Sequence, residues 1–312
     1  MLGVEGVPLE KTKYIWMNGK LIPWDEAKVH VLTHGLHYGS SVFEGIRCYE
    51  TSRGPAVFRL KDHMRRLENS AKIYMMKLPY TVEELCKAVV ELIKVNGLKE
   101  CYIRPIAYRS YGEMGLQALN PVEVAIAAWP WGPYLGEEGQ KLGIRAKISS
   151  NIRPPPQSLP MNAKAAGHYL SSILAKMEAL NAGYDEAIML DHRGYISEGP
   201  GENIFIVKSG TLYTPPPHAS ILLGITRDTV MVIAERLGYK VLEQDITRGM
   251  LYEADEAFFT GTAAEITPIR EVDGVPIGDG KPGEITRSLQ QEYRAIVRGE
   301  KPEYQEWLTY VE

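Results

Sequence analysis

An α+β fold in two domains, each built on an antiparallel-rich sheet, is predicted by three features of the sequence. Apolar-alternating runs follow one another across short turns. Amphipathic helices are interspersed among those runs. One segment, WPWGPYLGEEG at 129–139, breaks all periodicity between two such halves. The division reads as a smaller N-terminal domain at 1–128, a linker at 129–139 and a larger C-terminal domain at 140–312.

The first element is a hairpin. In KYIWMNGKLIPW, Asn18-Gly19 lies between two alternating runs, the strongest short hairpin signal. SVFEGIRCYE reads as a further strand. From about Leu60 to Met75, Leu60, Met64, Leu67, Ala71 and Tyr74 recur at helical spacing and form one apolar stripe. The next helix carries both of its end signals: Thr81-x-x-Glu84 is a capping box, and Gly97 stops it after Leu85, Val89, Leu92 and Ile93. CYIRPIAYRS and PVEVAIAAW alternate as strands. In the linker, Trp131 and Tyr134 stand among two prolines and three glycines, large aromatics of the kind a loop uses to line a site. After a strand at 141–149, an apolar, Ala-rich helix begins near Ala165. Hairpins DEAIMLDHRGYISEG and NIFIVKSGTLYTPP follow, then a helix from Thr226 to Leu237, the strand YKVLEQDI, a strand at 255–260 and a helix near 284–298.

Composition limits what this chain does. Lys+Arg 35 against Asp+Glu 39 gives a net charge of -4, which offers no basic field for nucleic acid or anionic lipid. Cys48, Cys86 and Cys101 are far apart along the chain, odd in number and without a CxxC pair, and read as reduced thiols of a cytoplasmic protein. The opening MLGVEGVPLEKTKYIW has no signal-peptide pattern, and no apolar run reaches bilayer-spanning length.

Four stretches carry chemistry together. Lys164 stands at the start of the Ala-rich helix among Ala163, Ala165, Ala166 and Gly167, where the helix dipole favours anions; taken alone it is a surface lysine. YISEGPGENIF places Glu198, Glu202 and Asn203 in a turn between two apolar strands. In LLGITRDTV, Gly224, Ile225 and Thr226 open a helix, with Thr226 as the natural N-cap and free amides that would receive a phosphate. FFTGTAAEITP ends an apolar strand with small hydroxyl residues and exposed amides, a candidate anion nest. In the first half, Arg66 lies one turn along its helix, and Arg104 sits inside an apolar strand, where a cation must find a partner or a ligand. His34 and His37, at i and i+3, lack a third ligand of suitable spacing, so a metal site is rejected. An amine, a carboxylate and phosphate donors are the requirements of pyridoxal phosphate.

These motifs, from YIWMNGKLIPWDEAKVHVLTHGLHYGSSVFEGIRCYE to GTAAEITPIREVDG, resemble the branched-chain-amino-acid aminotransferases, pyridoxal-phosphate enzymes of fold type IV, over nearly the whole chain. The resemblance implies two α+β domains joined by a mobile linker, with pyridoxal 5'-phosphate in the cleft and pyridoxamine 5'-phosphate as its intermediate form. It implies a homodimer at least, with a hexamer left open. Carried over by motif, Lys164 would be the Schiff-base lysine and proton carrier, and Glu198 the partner of the pyridinium nitrogen. Tyr169 would bond the phenolic oxygen, and Arg66, Ile225, Thr226 and Thr262 would hold the phosphate. Leu222 would lie on the ring, with Asn203 supporting the site from behind. The substrate pocket would be an aromatic wall of Phe43, Tyr38, Tyr134 and Trp131 with Arg104 at its edge, Tyr38 coming from a second subunit. Tyr102, Thr262 and Ala263 would receive the α-carboxylate. The implied reaction is ping-pong transfer of the amino group from L-leucine, L-isoleucine or L-valine to 2-oxoglutarate. A D-amino-acid or (R)-amine aminotransferase, or an aminodeoxychorismate lyase, is the alternative within the fold type. A non-catalytic carrier is disfavoured, because each motif position holds a chemically competent residue.

Overall fold

The computed structural model describes residues 9–131 and 136–312. Strands β1 (Tyr14–Met17) and β2 (Lys20–Pro23) form the predicted hairpin, with Asn18 and Gly19 at φ 49° and 83°. These two left-handed residues match a tight turn to the twist of its strands. Helix α1 (His34–Tyr38) follows, then β3 (Ser41–Phe43), β4 (Ile46–Thr51) and β5 (Gly54–Phe58). Helices α2 (Leu60–Ile73) and α3 (Val82–Asn96) precede β6 (Cys101–Arg109) and β7 (Val122–Pro130). The capping box at Thr81 and Glu84 is formed in both directions, and Gly97 closes α3 in the left-handed conformation. Leu60, Met64, Leu67 and Ala71 of α2 are buried against Leu85, Val89 and Leu92 of α3 and the sheet beneath.

The segment read as one strand, SVFEGIRCYE, is two. Both β3 and β4 pair with β6, but the path breaks at Glu44 and Gly45, opposite Arg104 and Pro105. Pro105 has no N–H to donate, so β6 tolerates the break in its neighbour there. The cysteines are free thiols, as the sequence predicts, but two of them meet in space. Cys48 and Cys101, remote in sequence, are directly opposed across β4 and β6, and both are buried free thiols.

Of the segment predicted as linker, Trp129 and Pro130 close β7, residues 132–135 lie outside those described, and helix α4 (Gly136–Leu142) takes up the rest. The second half continues with β8 (Ile144–Ile148), α5 (Tyr169–Asn181), β9 (Glu186–Leu190), β10 (Ile196–Glu198), β11 (Asn203–Lys208) and β12 (Thr211–Thr214). It is completed by α6 (Ile225–Arg236), β13 (Lys240–Glu243), α7 (Arg248–Tyr252), β14 (Glu256–Gly261), β15 (Glu265–Val272), β16 (Val275–Pro276), α8 (Glu284–Val297) and β17 (Leu308–Tyr310).

The first sheet has the order β17-β5-β4-β6-β7-β1-β2, with β3 also on β6. The second runs β10-β9-β8-β15-β14-β11-β12-β13, with β16 on β15. Both are antiparallel-rich; three pairings of the second sheet, β12 with β13, β15 with β8 and β8 with β9, are parallel. A shared core joins the sheets: Tyr49 and Phe58 of the first pack with Phe205 and Phe258 of the second and with Val230, Leu289 and Tyr293. Phe205 and Phe258 stack at 5.2 Å. Burial of each such side chain stabilises by about 1.5–3 kcal/mol. Where the two sheets meet, residues from both line one cavity.

Candidate active site

Lys164 is fixed through its backbone. Its N–H donates to Ser70 Oγ of α2 at 3.0 Å, and its carbonyl accepts from Phe43 N of β3 at 3.0 Å. Ala165 bridges to Val42. The small neighbours of Lys164, Ala163 and Ala165, are buried beside it, Ala163 bordering the cavity. Nζ donates to Tyr169 Oη at 2.7 Å and lies 5.1 Å from the Phe43 ring centroid. The α-helix predicted from Ala165 starts four residues later; 166–168 form a 3-10 turn, and α5 begins at Tyr169. That displacement leaves Lys164 in extended chain, aimed into a cavity.

Glu198 ends β10 and is 4% exposed, although an acidic residue in a turn is ordinarily solvated. Its Oε2 accepts from Asn203 Nδ2 at 2.9 Å and from the Leu222 amide at 3.0 Å, and its Oε1 is paired with Arg153. Burial pushes its pKa above the usual carboxylate range, while Arg153, the Leu222 amide and Lys164 pull the other way. Arg153, like Glu44 below, is a site residue that sequence reasoning does not name. It stands in NIRPPP, and the signal was the one that flagged Arg104, a cation among apolar and proline neighbours that needs a partner. Arg153 also donates to Ser172 Oγ at 2.9 Å.

Glu202, four residues on, is buried beside Glu186. Burial, and then that second carboxylate, push its pKa up to about 8, and its Oε2 accepts the Gly201 amide at 3.0 Å. Glu186 itself pairs with Lys176 at 2.7 Å.

A cradle for an anion lies between two backbone features. Helix α6 starts at Ile225 with Gly224 as N-cap, which corrects the expectation that Thr226 would cap it. Gly224 is extended at φ −71° and ψ 136°, so the helix begins directly after it, and a Cβ there would lie 2.0 Å from Asn203 Oδ1. The first ladder bond is Asp228 N to Gly224 O, so the amides of Ile225, Thr226 and Arg227 precede the ladder. The second feature is the turn holding Thr262 and Ala263, between β14 and β15. Arg66 reaches the same place. Its Nε and Nη2 donate to Glu44 at 2.6 and 2.8 Å, and its Nη1 donates to Leu223 O at 3.0 Å. Burial alone would raise the Glu44 pKa, but Arg66 and His63 hold it well below the carboxylate range. Glu44 therefore stays an anion that orients Arg66.

The remaining wall comes from the first sheet. Arg104 Nη2 donates to Tyr102 Oη at 3.2 Å, and the guanidinium lies 4.8 Å from the Phe43 centroid. Gly45, at the break between β3 and β4, admits the Tyr102 hydroxyl, which a Cβ would meet at 2.0 Å.

These groups surround one cavity of about 250 Å3. Lys164, Arg66, Tyr169, Glu198, Asn203, Leu222, Ile225, Thr226, Thr262, Ala263, Phe43, Tyr102 and Arg104 line it together. Tyr38 does not: it is 44% exposed on α1, its ring against His34, outside the cavity of its own chain. Trp131 stands behind the wall, 5.2 Å from the Tyr102 ring, and Tyr134 lies outside the described residues. His34 and His37 turn to Ser40, Gly115 O and Val31 O, and among the described residues no group of three metal-ligating side chains forms. No described helix is long and apolar enough to cross a membrane. An amine, a buried carboxylate clamped by donors and an anion cradle in one cavity fit the functional groups of pyridoxal phosphate.

Residues 41–272 match the family model for amino-transferase class IV. The branched-chain-amino-acid aminotransferase of Escherichia coli (strain K12) is 49% identical, over 97% of this chain and 98% of that one. The crystal structure of the branched-chain aminotransferase from the archaeon Thermoproteus uzoniensis with norvaline has a TM-score of 0.93 at 51% identity, covering 97% of this chain and 100% of that one. The branched-chain amino acid aminotransferase from Thermobaculum terrenum, in its PLP-bound holo-form, gives 0.90 at 40% identity, covering 96% of this chain and 99% of that one.

Proposed function

This chain belongs to the class IV aminotransferases, and on that premise we propose that it transfers amino groups between branched-chain L-amino acids and 2-oxoglutarate with pyridoxal phosphate bound in the cavity. The observation that carries the reading is the presence of Lys164 Nζ, a donor-clamped Glu198 and the α6 amide cradle in one enclosure.

Bound there, pyridoxal phosphate supplies an aldehyde that takes up the amino group and a ring that accepts electrons from the substrate α-carbon. Lys164 Nζ would hold the group, and as a free amine it would carry the proton at the substrate α-carbon. Tyr169 Oη, accepting from Nζ, keeps the amine aimed. Glu198 would hold the proton on the ring nitrogen; its oxygens already accept from Asn203 Nδ2 and Leu222 N and pair with Arg153, which fixes the carboxylate in place. Arg66, the amides of Ile225 and Thr226, and Thr262 hold the phosphate, and Leu222 packs on the ring.

Substrate choice follows from the first-sheet wall. Phe43 gives an aliphatic side chain an apolar surface. Arg104 and Tyr102, joined at 3.2 Å, meet a charge at its edge. An apolar pocket alone would reject a distal carboxylate by several kcal/mol, an order-of-magnitude cost that a nearby cation removes. Tyr102, Thr262 and Ala263 receive the α-carboxylate. The exposure of Tyr38 on its own chain supports its delivery to a second copy, in a homodimer or larger assembly. Free thiols at Cys48, Cys86 and Cys101 support a cytoplasmic setting.

The test is a half-reaction screen. L-leucine and L-glutamate should each bleach the yellow cofactor band, and 2-oxoglutarate should restore it. Preferred turnover of D-alanine or (R)-1-phenylethylamine would overturn the substrate reading.

A further inference from the structure

Most buried threonine hydroxyls of the second sheet and its helices have a clear partner. Thr214 donates to Ile204 O, Thr229 to Ile225 O, Thr267 to Ala264 O and Thr286 to the Glu256 carboxylate. Thr260 differs. It is 1% exposed in β14, a strand with neighbours on both sides, and its Oγ1 has no hydrogen-bond partner. A hydroxyl left so in a folded interior is destabilising unless something else bonds it.

The register shows what Thr260 faces. Asn203 is its direct partner on β11, and directly opposed residues of an antiparallel pair project to the same face. Asn203 sits against the N-cap of α6, where its Oδ1 excludes a Cβ from Gly224. Phe258, two residues earlier and so on the same face, packs with Phe205 and with Val230 and Ile233 of α6. Thr260 is therefore one step further along the face that α6 covers, beside the helix's first turn. It also lies two residues before Thr262 and lines the cavity. The unpartnered hydroxyl stands between the two halves of the anion cradle.

We propose that Thr260 is a ligand-binding residue whose Oγ1–H donates to the phosphate held by the amides of Ile225 and Thr226 and by Thr262. This rests on the pyridoxal phosphate reading above. Its hydroxyl is kept dry and unbonded by the protein because the bond it completes is made by the phosphate. Such a charge-assisted donor contributes about tenfold to hundredfold in affinity.

Thr260→Val keeps the shape and removes the hydroxyl, and Thr260→Ser keeps the hydroxyl. Apoprotein of each is titrated with pyridoxal phosphate and, separately, with pyridoxal, which lacks the phosphate; apoprotein melting is recorded alongside. The expected result is a loss of tenfold or more in pyridoxal phosphate affinity for Thr260→Val, an unchanged pyridoxal affinity and an apoprotein Tm no lower than the parent's. Thr260→Ser should bind within about threefold of the parent. Unchanged pyridoxal phosphate affinity in Thr260→Val, or an equal loss for both ligands, overturns the proposal. Failure of the parent protein to bind pyridoxal phosphate at all overturns instead the reading on which it rests.

Discussion

Replacing Arg153 by leucine removes the one full positive charge paired with Glu198 and leaves its carboxylate, 4% exposed, with two N–H donors. Breaking a buried ion pair from one side costs about 3–5 kcal/mol. Glu198 has an escape, however, because it can take up a proton. Protonating a carboxyl of ordinary pKa near 4.3 at pH 7 costs about 1.36 × 2.7, or roughly 3.7 kcal/mol, and this bounds the loss from above. At pH 5 the same bound is only about 1 kcal/mol. The sign follows from linkage. In Arg153→Leu the folded-state pKa of Glu198 rises further above its unfolded value, so the folded protein binds the extra proton and stability falls as pH rises. The assay is chemical denaturation of the apoprotein at pH 5 and pH 7, with Glu198→Gln made alone and with Arg153→Leu. A loss of up to about 3.7 kcal/mol at pH 7 should shrink to about 1 kcal/mol or less at pH 5 and largely vanish in the double variant. An equal loss at both pH values, unrelieved by Glu198→Gln, would refute the view that Arg153 acts by neutralising Glu198.

Three further outcomes follow from the geometry. Gly45→Ala places a Cβ 2.0 Å from the Tyr102 hydroxyl; it should cost about 1–3 kcal/mol of stability and raise KM for 2-oxoglutarate more than for the branched keto acids, as steady-state kinetics would show. Gly224→Ala drives a Cβ into Asn203 Oδ1; it should weaken pyridoxal phosphate binding at least tenfold in apoprotein titration, about 1.4 kcal/mol or more. Glu202, whose folded pKa is raised to about 8, contributes stability that is present at low pH and lost as pH rises toward 8. Glu202→Gln should remove that slope, about 3–4 kcal/mol between pH 5 and pH 8 in denaturant titrations, and an unchanged slope would show that Glu202 is ionised in the fold.

Local chemistry makes much of this fold legible in the sequence. Asn18-Gly19 specifies its turn through two left-handed residues, and Thr81 with Glu84 specifies a helix start through bonds within four residues. The alternation in 101–110 and 121–129 predicts two strands, which pair antiparallel as 101–109 with 122–130. What stayed hidden depends on partners remote in sequence. The break at Glu44 and Gly45 is accommodated by Pro105 on another strand and serves the Tyr102 hydroxyl. Position 224, the cap of α6, is glycine where Asn203, twenty-one residues earlier, occupies the space of a side chain. Arg153 and Glu198 come together only through the fold, and Cys48 meets Cys101 only through register. The cavity-lining residues were named by a resemblance in their motifs; the turns around Lys164 and Glu198 carry no propensity that would announce a site.

Position 164 is tested most directly by covalent trapping. The holoprotein is treated with borohydride, digested and mapped by mass spectrometry. Reduction should fix one phosphopyridoxyl group per chain on the peptide containing Lys164. A label on any other residue, or a Lys164→Ala variant that takes up the same label, would contradict the assignment.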